Sequence, residues 1–376
     1  MATDIKCGSY GCVIKSFVSC GNKPKESSLL YITKIFGNED YWKNEIELNK
    51  RIMEIDTNND FTTKMVDYCK SSSKEMNKIK EQISNSSFYK ILGYSNKYHI
   101  IYEYGGEDLD IFISGDFILG DFDILKFLRS FINIFDGIIK LNEKGLVHFD
   151  IKPDNILYDK SRNRFTLIDF GLMQEREAIL TTNILKHFYR QKYVYYPSEL
   201  NIFSYFVFND LLNIDKEILN INVALYEFEK SYRYIYEQSI NKSKIKKILD
   251  LLLEVIKKIK EQLEHFKNFL LLFDEIIAEL KNQTTKTTVI SKKYKEMCKD
   301  KSIDILTKVD VYMLGITLFN VLLKLIRKLL KVNKIDSILL IPPKLFHLIS
   351  KMVILNPCDR IDIKKARDEY KKILDI

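Results

Sequence analysis

The residues best suited to chemistry lie between positions 148 and 171. The stretch HFDIKPDN occupies 148–155, and DFG follows at 169–171. A short loop can aim Asp150 and Asn155 into one cleft, and a strand hairpin can return Asp169 beside them. Two acids and an amide offer the oxygen ligands that Mg²⁺ prefers when it also keeps water and phosphate. The spacing therefore predicts a site for magnesium and a phosphate.

The same residues predict phosphoryl transfer. Asp150 would accept the proton of an attacking hydroxyl, and Lys152 would neutralise charge on the transferring phosphoryl group. The alternative is that two Asp-containing turns only cap local structure, which would be the better interpretation of a lone DFG. Both motifs, in order and correctly spaced, favour the chemical interpretation.

These two motifs resemble the catalytic loop and the magnesium loop of the eukaryotic-type protein kinases. The resemblance implies ATP and Mg²⁺ as cofactors. It also implies that Asp150 and Lys152 are catalytic, and that Asn155 and Asp169 hold the metal. Lys152, two residues after the aspartate, resembles the serine/threonine-specific branch. Phe149 stands where regulated members carry the arginine that receives the activation-segment phosphate, so we expect activity without that phosphorylation.

Upstream segments resemble the phosphate-binding elements of the family. The stretch GSYGCV at 8–13 resembles the second half of the glycine-rich loop, whose glycines let the backbone approach phosphates closely. The nucleotide-binding residues implied there are Gly8, Ser9, Gly11 and Val13. In the following YITK stretch, Lys34 matches the phosphate-binding lysine, and Ile32 falls where a residue roofs the adenine.

The helix after this strand would supply the ion-pair partner of Lys34. Glu45 fits the rhythm of the family better, and Glu47 is the alternative. The ion pair would hold Lys34 against the α- and β-phosphates, so the catalytic set includes Lys34 and Glu45. Asn49 occupies a position where the family normally has an apolar residue.

The stretch HIIYEYGGEDL at 99–109 resembles the strand and hinge that hold the adenine. Tyr102 would stand behind the adenine, while Glu103 and Gly105 would present backbone groups to its edge. Asp108 would reach the ribose, and Leu157 would form the floor of the pocket.

Three later stretches resemble motifs of the large lobe: YPSE at 196–199, DVYMLG at 310–315 and NPCDR at 356–360. The resemblance implies a buried pair between Glu199 and Arg360, and a helix that anchors the catalytic loop. These motifs disfavour a phosphotransferase for small molecules or lipids, which would share the catalytic acids without this set.

The interval between Glu199 and Asp310 is far longer than the family requires. Apolar residues recur there at alternating steps of four and three from Ile245 to Leu280, which predicts a coiled-coil-like helical hairpin in an insertion at about 203–302. The hairpin either packs on itself and on the large lobe, or uses 215–285 to dock a partner or a second copy.

The resemblance implies an α+β, bilobal protein-kinase-like fold. A small β-rich nucleotide-binding lobe would span 1–104, and a large helical catalytic lobe 105–376. Residue patterns predict helices over 41–55 and 121–144, and short strands over 155–158 and 165–168.

Composition limits the other classes of function. The 376 residues carry a formal net charge of +8, too thinly spread to indicate nucleic acid. No run of about 18 uncharged apolar residues predicts a transmembrane helix, and the N-terminus lacks a signal-peptide core. The six cysteines include no C-x-x-C pair, so neither a zinc cluster nor a disulfide framework is expected.

These features favour a reducing compartment, and hence a cytoplasmic protein. The abundance of Lys, Ile and Asn suggests a large DNA virus or an A+T-rich protist as the source, which would make the location host cytoplasm or a virion. The leading hypothesis is an ATP-dependent kinase acting on serine and threonine of protein substrates. The alternative is a pseudokinase scaffold that recruits partners through the insertion.

Overall fold

The computed structural model describes most of the chain outside the insertion. The described residues are 5–7, 11–15, 20, 31–70, 98–115, 122–178, 195, 197, 307–332, 334–354, 357, 359–376 and seven helical positions between 246 and 261. Residues 8–10, Glu199 and nearly all of 203–302 lie outside them. The chain divides into two compact units, Met1–Glu107 with Leu157–Gly171, and Asp108–Ile156 with Leu172–Ile376.

An antiparallel five-stranded sheet forms the centre of the first unit, with strand order β1-β2-β3-β5-β4. Its β-branched and aromatic residues alternate between two faces. The strands are β1 (Ile5–Cys7), β2 (Gly11–Ile14), β3 (Tyr31–Phe36), β4 (Met65–Lys70) and β5 (Tyr98–Glu103).

Helix α1 (Glu39–Ile55) packs on one face of this sheet. Asn38 begins it, because its Oδ1 accepts hydrogen bonds from the backbone N–H groups of Asp40 and Tyr41. Ile46 of the helix joins a buried cluster formed by alternate residues of the neighbouring strands: Phe36, Met65, Tyr98, Ile100 and Tyr102. The helix predicted from position 41 is confirmed and begins two residues earlier.

A hairpin of β8 (Ile156–Asp159) and β9 (Arg164–Leu167) leads to the second acidic motif. Asp159 shapes the turn, because its Oδ1 accepts bonds from Ser161 and Arg162. The backbone N–H of Leu167 donates to Phe61 O at 2.7 Å and ties the hairpin to its unit. Both predicted strands are confirmed with shifts of one residue.

The second unit is mostly helical. Its described helices are α2 (Leu109–Ser114), α3 (Ile124–Ser130), α4 (Ile132–Glu143), α5 (Lys308–Lys331), α6 (Ile335–Leu339), α7 (Lys344–Met352) and α8 (Ile363–Leu374). The structure also describes three short strands: β6 (Glu107–Asp108), β7 (Leu146–Val147) and β10 (Gln174–Glu175). Strand β7 pairs with β10 in antiparallel fashion.

The single helix predicted over 121–144 is divided at Phe131 into α3 and α4. The Ser130 hydroxyl donates to Phe127 O at 2.8 Å. Such a local side-chain bond competes with the helical backbone ladder. The apolar rhythm continues across the break, so periodicity alone could not reveal it.

Helix α5, with 24 residues, is the longest of the described helices. Lys308–Leu329 is long and apolar enough to cross a membrane by length and composition, but 83% of its most apolar window is buried inside the protein. Gly315 allows close packing, since a Cβ there would lie 2.8 Å from Met352 Cβ and from Val353 Cγ1. The helix therefore has the environment of a core helix.

The expectation that the cysteines form no disulfide was wrong. Cys20 is bonded to Cys69, 49 residues away in sequence, and Cys12 is also disulfide-bonded. Local spacing could not indicate the Cys20–Cys69 bond, because strand pairing rather than a short motif places Cys69 in the sheet.

Candidate active site

Helix α5 anchors the first acidic motif, residues 148–155, through hydrogen bonds. The backbone N–H groups of His148 and Phe149 donate to the two carboxylate oxygens of Asp310 at 2.8 and 3.0 Å. Farther along α5, the Thr317 hydroxyl donates to Ile151 O at 3.1 Å. Burial raises the pKa of Asp310 to about 7, although the two backbone bonds oppose that rise. These bonds therefore fix the 148–151 part of the loop to the core helix α5.

Asp150 sits at the centre of a cluster of donors. Lys152 Nζ donates to Asp150 Oδ2 at 2.8 Å, and Asn155 Nδ2 donates to the same oxygen at 2.7 Å. Asn155 Nδ2 also donates to Asp150 O at 2.9 Å, which closes the loop on itself. Asp150 is only 6% exposed, so these charge-assisted bonds hold its carboxylate in one orientation.

Phe149 adopts a strained backbone conformation immediately before Asp150. Its φ is 64°, a left-handed value that is unusual for a bulky residue. The ring is fully buried, and the bond from its N–H to Asp310 helps to hold the conformation. Activity without activation-segment phosphorylation, expected from Phe149, stays a prediction.

In the first unit, Lys34 and Glu45 form the expected ion pair. Lys34 Nζ lies 2.5 Å from Glu45 Oε1, and both side chains are less than a fifth exposed. Burial alone would lower the pKa of Lys34, but the charges of Glu45 and Asp169 outweigh it, so the pKa lies above its ordinary value. Asp169 is therefore within electrostatic reach of Lys34. Glu47, the alternative partner, is exposed.

Two further polar residues hold Glu45. Asn49 Nδ2 donates to Glu45 O at 2.7 Å and to the Tyr102 hydroxyl at 3.0 Å. That hydroxyl in turn donates to Glu45 Oε1 at 3.1 Å. Burial, with the charge of Glu45, raises the pKa of Tyr102 well above its ordinary value, which keeps the hydroxyl protonated as a donor. Sequence reasoning marked Asn49 as unusual but missed this network; the spacing of four from Glu45 on a helix was the available signal.

The predicted hinge residues are engaged in local structure. The Glu103 N–H donates to Lys64 O at 3.0 Å, and Gly105 O accepts from the Thr166 hydroxyl at 3.4 Å. A Cβ on Gly105 would lie 2.5 Å from Thr63 Cγ2 and 2.9 Å from Leu157 Cδ1, so a larger residue there would displace these side chains. The predicted contacts of Glu103 and Gly105 with the adenine stay a prediction.

Asp108 has a structural role within its own unit. Its Oδ1 accepts a bond from the Ile111 N–H at 2.9 Å and so caps the start of α2. The predicted contact of Asp108 with a ribose stays a prediction.

The predicted phosphate-binding strand is described only in part. A Cβ on Gly11 would lie 2.3 Å from Ile35 O, so this position requires glycine. Val13 lies opposite Lys34 in the strand register, and Ile32 packs at the edge of the core next to α1. Gly8 and Ser9 lie outside the described residues.

Arg360 is buried, as expected for a structural residue. Its guanidinium donates to Ile354 O at 2.7 Å and to Lys308 O at 2.9 Å, and lies over the Tyr312 ring. The proposed partner Glu199 lies outside the described part of the chain.

Comparison with known proteins finds similarity to protein kinases over part of the chain. The family model of the protein kinase domain matches residues 49–200. A probable serine/threonine-protein kinase of Dictyostelium discoideum is 30% identical over 177 residues, which is 45% of this chain and 18% of that protein. The smooth muscle myosin light chain kinase of Gallus gallus is 34% identical over 82 residues, 22% of this chain and 4% of that protein.

A third relative is similar over a shorter stretch. The cell division cycle 7-related protein kinase of Homo sapiens is 33% identical over 57 residues, 15% of this chain and 10% of that protein. The chain thus spans less than a fifth of the length of each of these relatives. The family match and the relatives together show that a part of this chain, centred on residues 49–200, is similar to protein kinase domains.

Proposed function

We propose that this chain transfers the γ-phosphoryl group of ATP to serine and threonine hydroxyls of protein substrates. The observation that carries the proposal is the Asp150 carboxylate, held by Lys152 and Asn155 on a loop anchored to Asp310. A carboxylate in a fixed orientation can accept the proton of a substrate hydroxyl as the oxygen attacks phosphorus.

The two lysines have different tasks in this proposal. Lys152 is already bonded to Asp150, and its charge would stabilise the negative charge that develops on the transferring group. Lys34, held by Glu45, would orient the α- and β-phosphates. Because the pKa of Lys34 is raised, this ammonium stays charged throughout the physiological range.

The residues proposed as metal ligands suit magnesium. Asn155 uses its amide nitrogen in both bonds to Asp150 and so leaves the amide oxygen as a ligand. Asp169 adds a half-buried carboxylate. Mg²⁺ held by these oxygens would neutralise phosphate charge during transfer.

The serine/threonine preference rests on Lys152 and on the name of the Dictyostelium discoideum relative, and the choice of protein substrates rests on the kinase domain match. The pseudokinase alternative predicts that one of the transfer residues would be missing. Instead Lys34, Asp150, Asn155 and Asp169 are all present. Recruitment of a partner through 215–285 remains part of the proposal as an accessory role.

Incubation of the full chain with radiolabelled Mg-ATP and a mixture of protein and peptide substrates tests this proposal. Phosphoamino-acid analysis should show label on serine and threonine in the wild-type reaction and none with Asp150→Asn. The proposal would be contradicted by label on tyrosine, by label on small molecules only, or by wild-type transfer as low as that of Asp150→Asn.

A further inference from the structure

A row of sulfur and imidazole side chains crosses the sheet of the first unit. In the strand register Cys12 lies opposite Ile35, Ile35 opposite His99, and His99 opposite Cys69. Directly opposed residues of antiparallel strands lie on the same face. Since Tyr98 and its alternate neighbours face α1, this row lies on the opposite face, away from the phosphate-binding lysine.

Three potential metal ligands converge at one end of the row. The Sγ atoms of Cys20 and Cys69 and a ring nitrogen of His99 all lie within 4.8 Å of one another. His99 is fully buried, and the two cysteines are half-buried. In a tetrahedral zinc site, bond lengths of about 2.3 Å to sulfur and about 2.0 Å to nitrogen place ligand atoms about 3.5–4 Å apart. The three donor atoms are therefore close enough for such a site once the two Sγ atoms, now joined in the disulfide, move apart.

We propose that Cys20, Cys69 and His99 bind a zinc-class divalent cation once the Cys20–Cys69 disulfide is reduced. A disulfide alone needs no third group, whereas zinc is bound by the thiolate and imidazole ligands present here. His99 and Cys69 sit on paired strands, so two of the three ligands have a fixed separation before metal arrives.

The chemistry balances with a dithiol as reductant. The dithiol gives two electrons and two protons to the Cys20–Cys69 S–S bond, which breaks to two thiols, and closes its own disulfide. Metal binding then displaces one proton from each thiol, while the imidazole donates its lone pair in the neutral form. The reducing compartment predicted for the chain would favour this state.

The site would tie the segment between β2 and β3 to the strands β4 and β5. It lies apart from Lys34 and Glu45, so the metal should stabilise the first unit without entering the transfer reaction. The inference does not depend on the proposed function.

Cobalt titration of the full chain tests the inference. The chain is reduced with a dithiol, desalted anaerobically and titrated with Co²⁺ alone. We expect about one Co²⁺ per chain with a thiolate-to-cobalt charge-transfer band, displaced by Zn²⁺. The oxidised chain, Cys20→Ser and Cys69→Ser should lose the band, whereas the control Cys358→Ser, which lies in the other unit, should keep it.

Cys20 is only half-buried, so Cys20→Ser keeps the test valid if changes in the sheet disturb folding. A circular dichroism spectrum matching wild type shows that each variant is folded. The inference is overturned if the reduced wild-type chain shows no thiolate band, or if the oxidised chain or a folded Cys20→Ser variant binds Co²⁺ as the wild type does.

Discussion

Asn49 is a polar residue at a buried position beside the Lys34–Glu45 ion pair, where the kinase family normally has an apolar residue. It is 8% exposed and bonded to both Glu45 O and the Tyr102 hydroxyl. An apolar residue at position 49 would remove one hydrogen bond from the buried Tyr102 hydroxyl. We therefore regard Asn49 and Tyr102 as positioning residues for Glu45.

Replacing Tyr102 by Phe removes only the hydroxyl that bonds to Glu45. We expect kcat/KM for ATP to fall about tenfold, the worth of one hydrogen bond of about 1–1.5 kcal/mol. Asn49→Leu should give a similar loss, and the double variant should lose less than the product of the two, because both act through Glu45.

The matched control is Glu47→Gln, which alters an exposed acid on the same helix and should leave kinetics unchanged. Steady-state kinetics beside thermal unfolding separate positioning from stability. Losses in kcat/KM that simply track a lower Tm would contradict the positioning role.

At the scale of elements, sequence patterns located α1 and the β8–β9 hairpin because each has a strong local rhythm. The sequence pattern did not predict the break at Phe131, because the apolar spacing continues through it. The hydrogen bond from the Ser130 hydroxyl to Phe127 O is a side-chain contact that apolar periodicity does not encode. The Cys20–Cys69 bond could not be predicted because it depends on pairing between distant strands.

For the candidate site too, the sequence predicts some features and not others. The spacing of Asp150, Lys152, Asn155 and Asp169 predicts their roles, and the family rhythm already favours Glu45 over Glu47. The structure adds the Lys34–Glu45 contact and shows that Glu47 is exposed. The network of Asn49 and Tyr102 joins a helix to a strand 53 residues away. No local pattern contains such a contact.

Helix α5 should make the stability of the chain depend on pH through Asp310. Its folded pKa of about 7 lies above the ordinary 3.8, so the folded state binds this proton more tightly than the unfolded chain. The stability gained from the proton is fully present below about pH 4 and is lost as pH rises through about 7. The change amounts to at most about 4 kcal/mol.

Urea unfolding of wild type and Asp310→Asn at pH 5 and pH 8 measures this contribution. Wild type should lose more free energy of unfolding than the variant between the two pH values. Parallel losses in the two proteins would show that Asp310 does not titrate as described.

At the scale of the whole molecule, the insertion adds none of the acids or glycines on which the proposed transfer depends. Replacing 215–285 by a short Gly/Ser linker should therefore leave turnover of a short peptide unchanged. If the segment docks a second copy, sedimentation should show a lower oligomeric mass for the linker variant. A soluble, folded linker variant without peptide turnover would show that the insertion completes the active site.

The central claim is that Asp150 is the proton acceptor of a phosphoryl-transfer site. The most direct test compares wild type with Asp150→Asn for single-turnover transfer from Mg-ATP to a peptide and for nucleotide affinity by equilibrium titration. The account predicts a loss of transfer of about 10²–10⁴-fold with nucleotide affinity nearly unchanged. Wild-type transfer by the folded variant would contradict it.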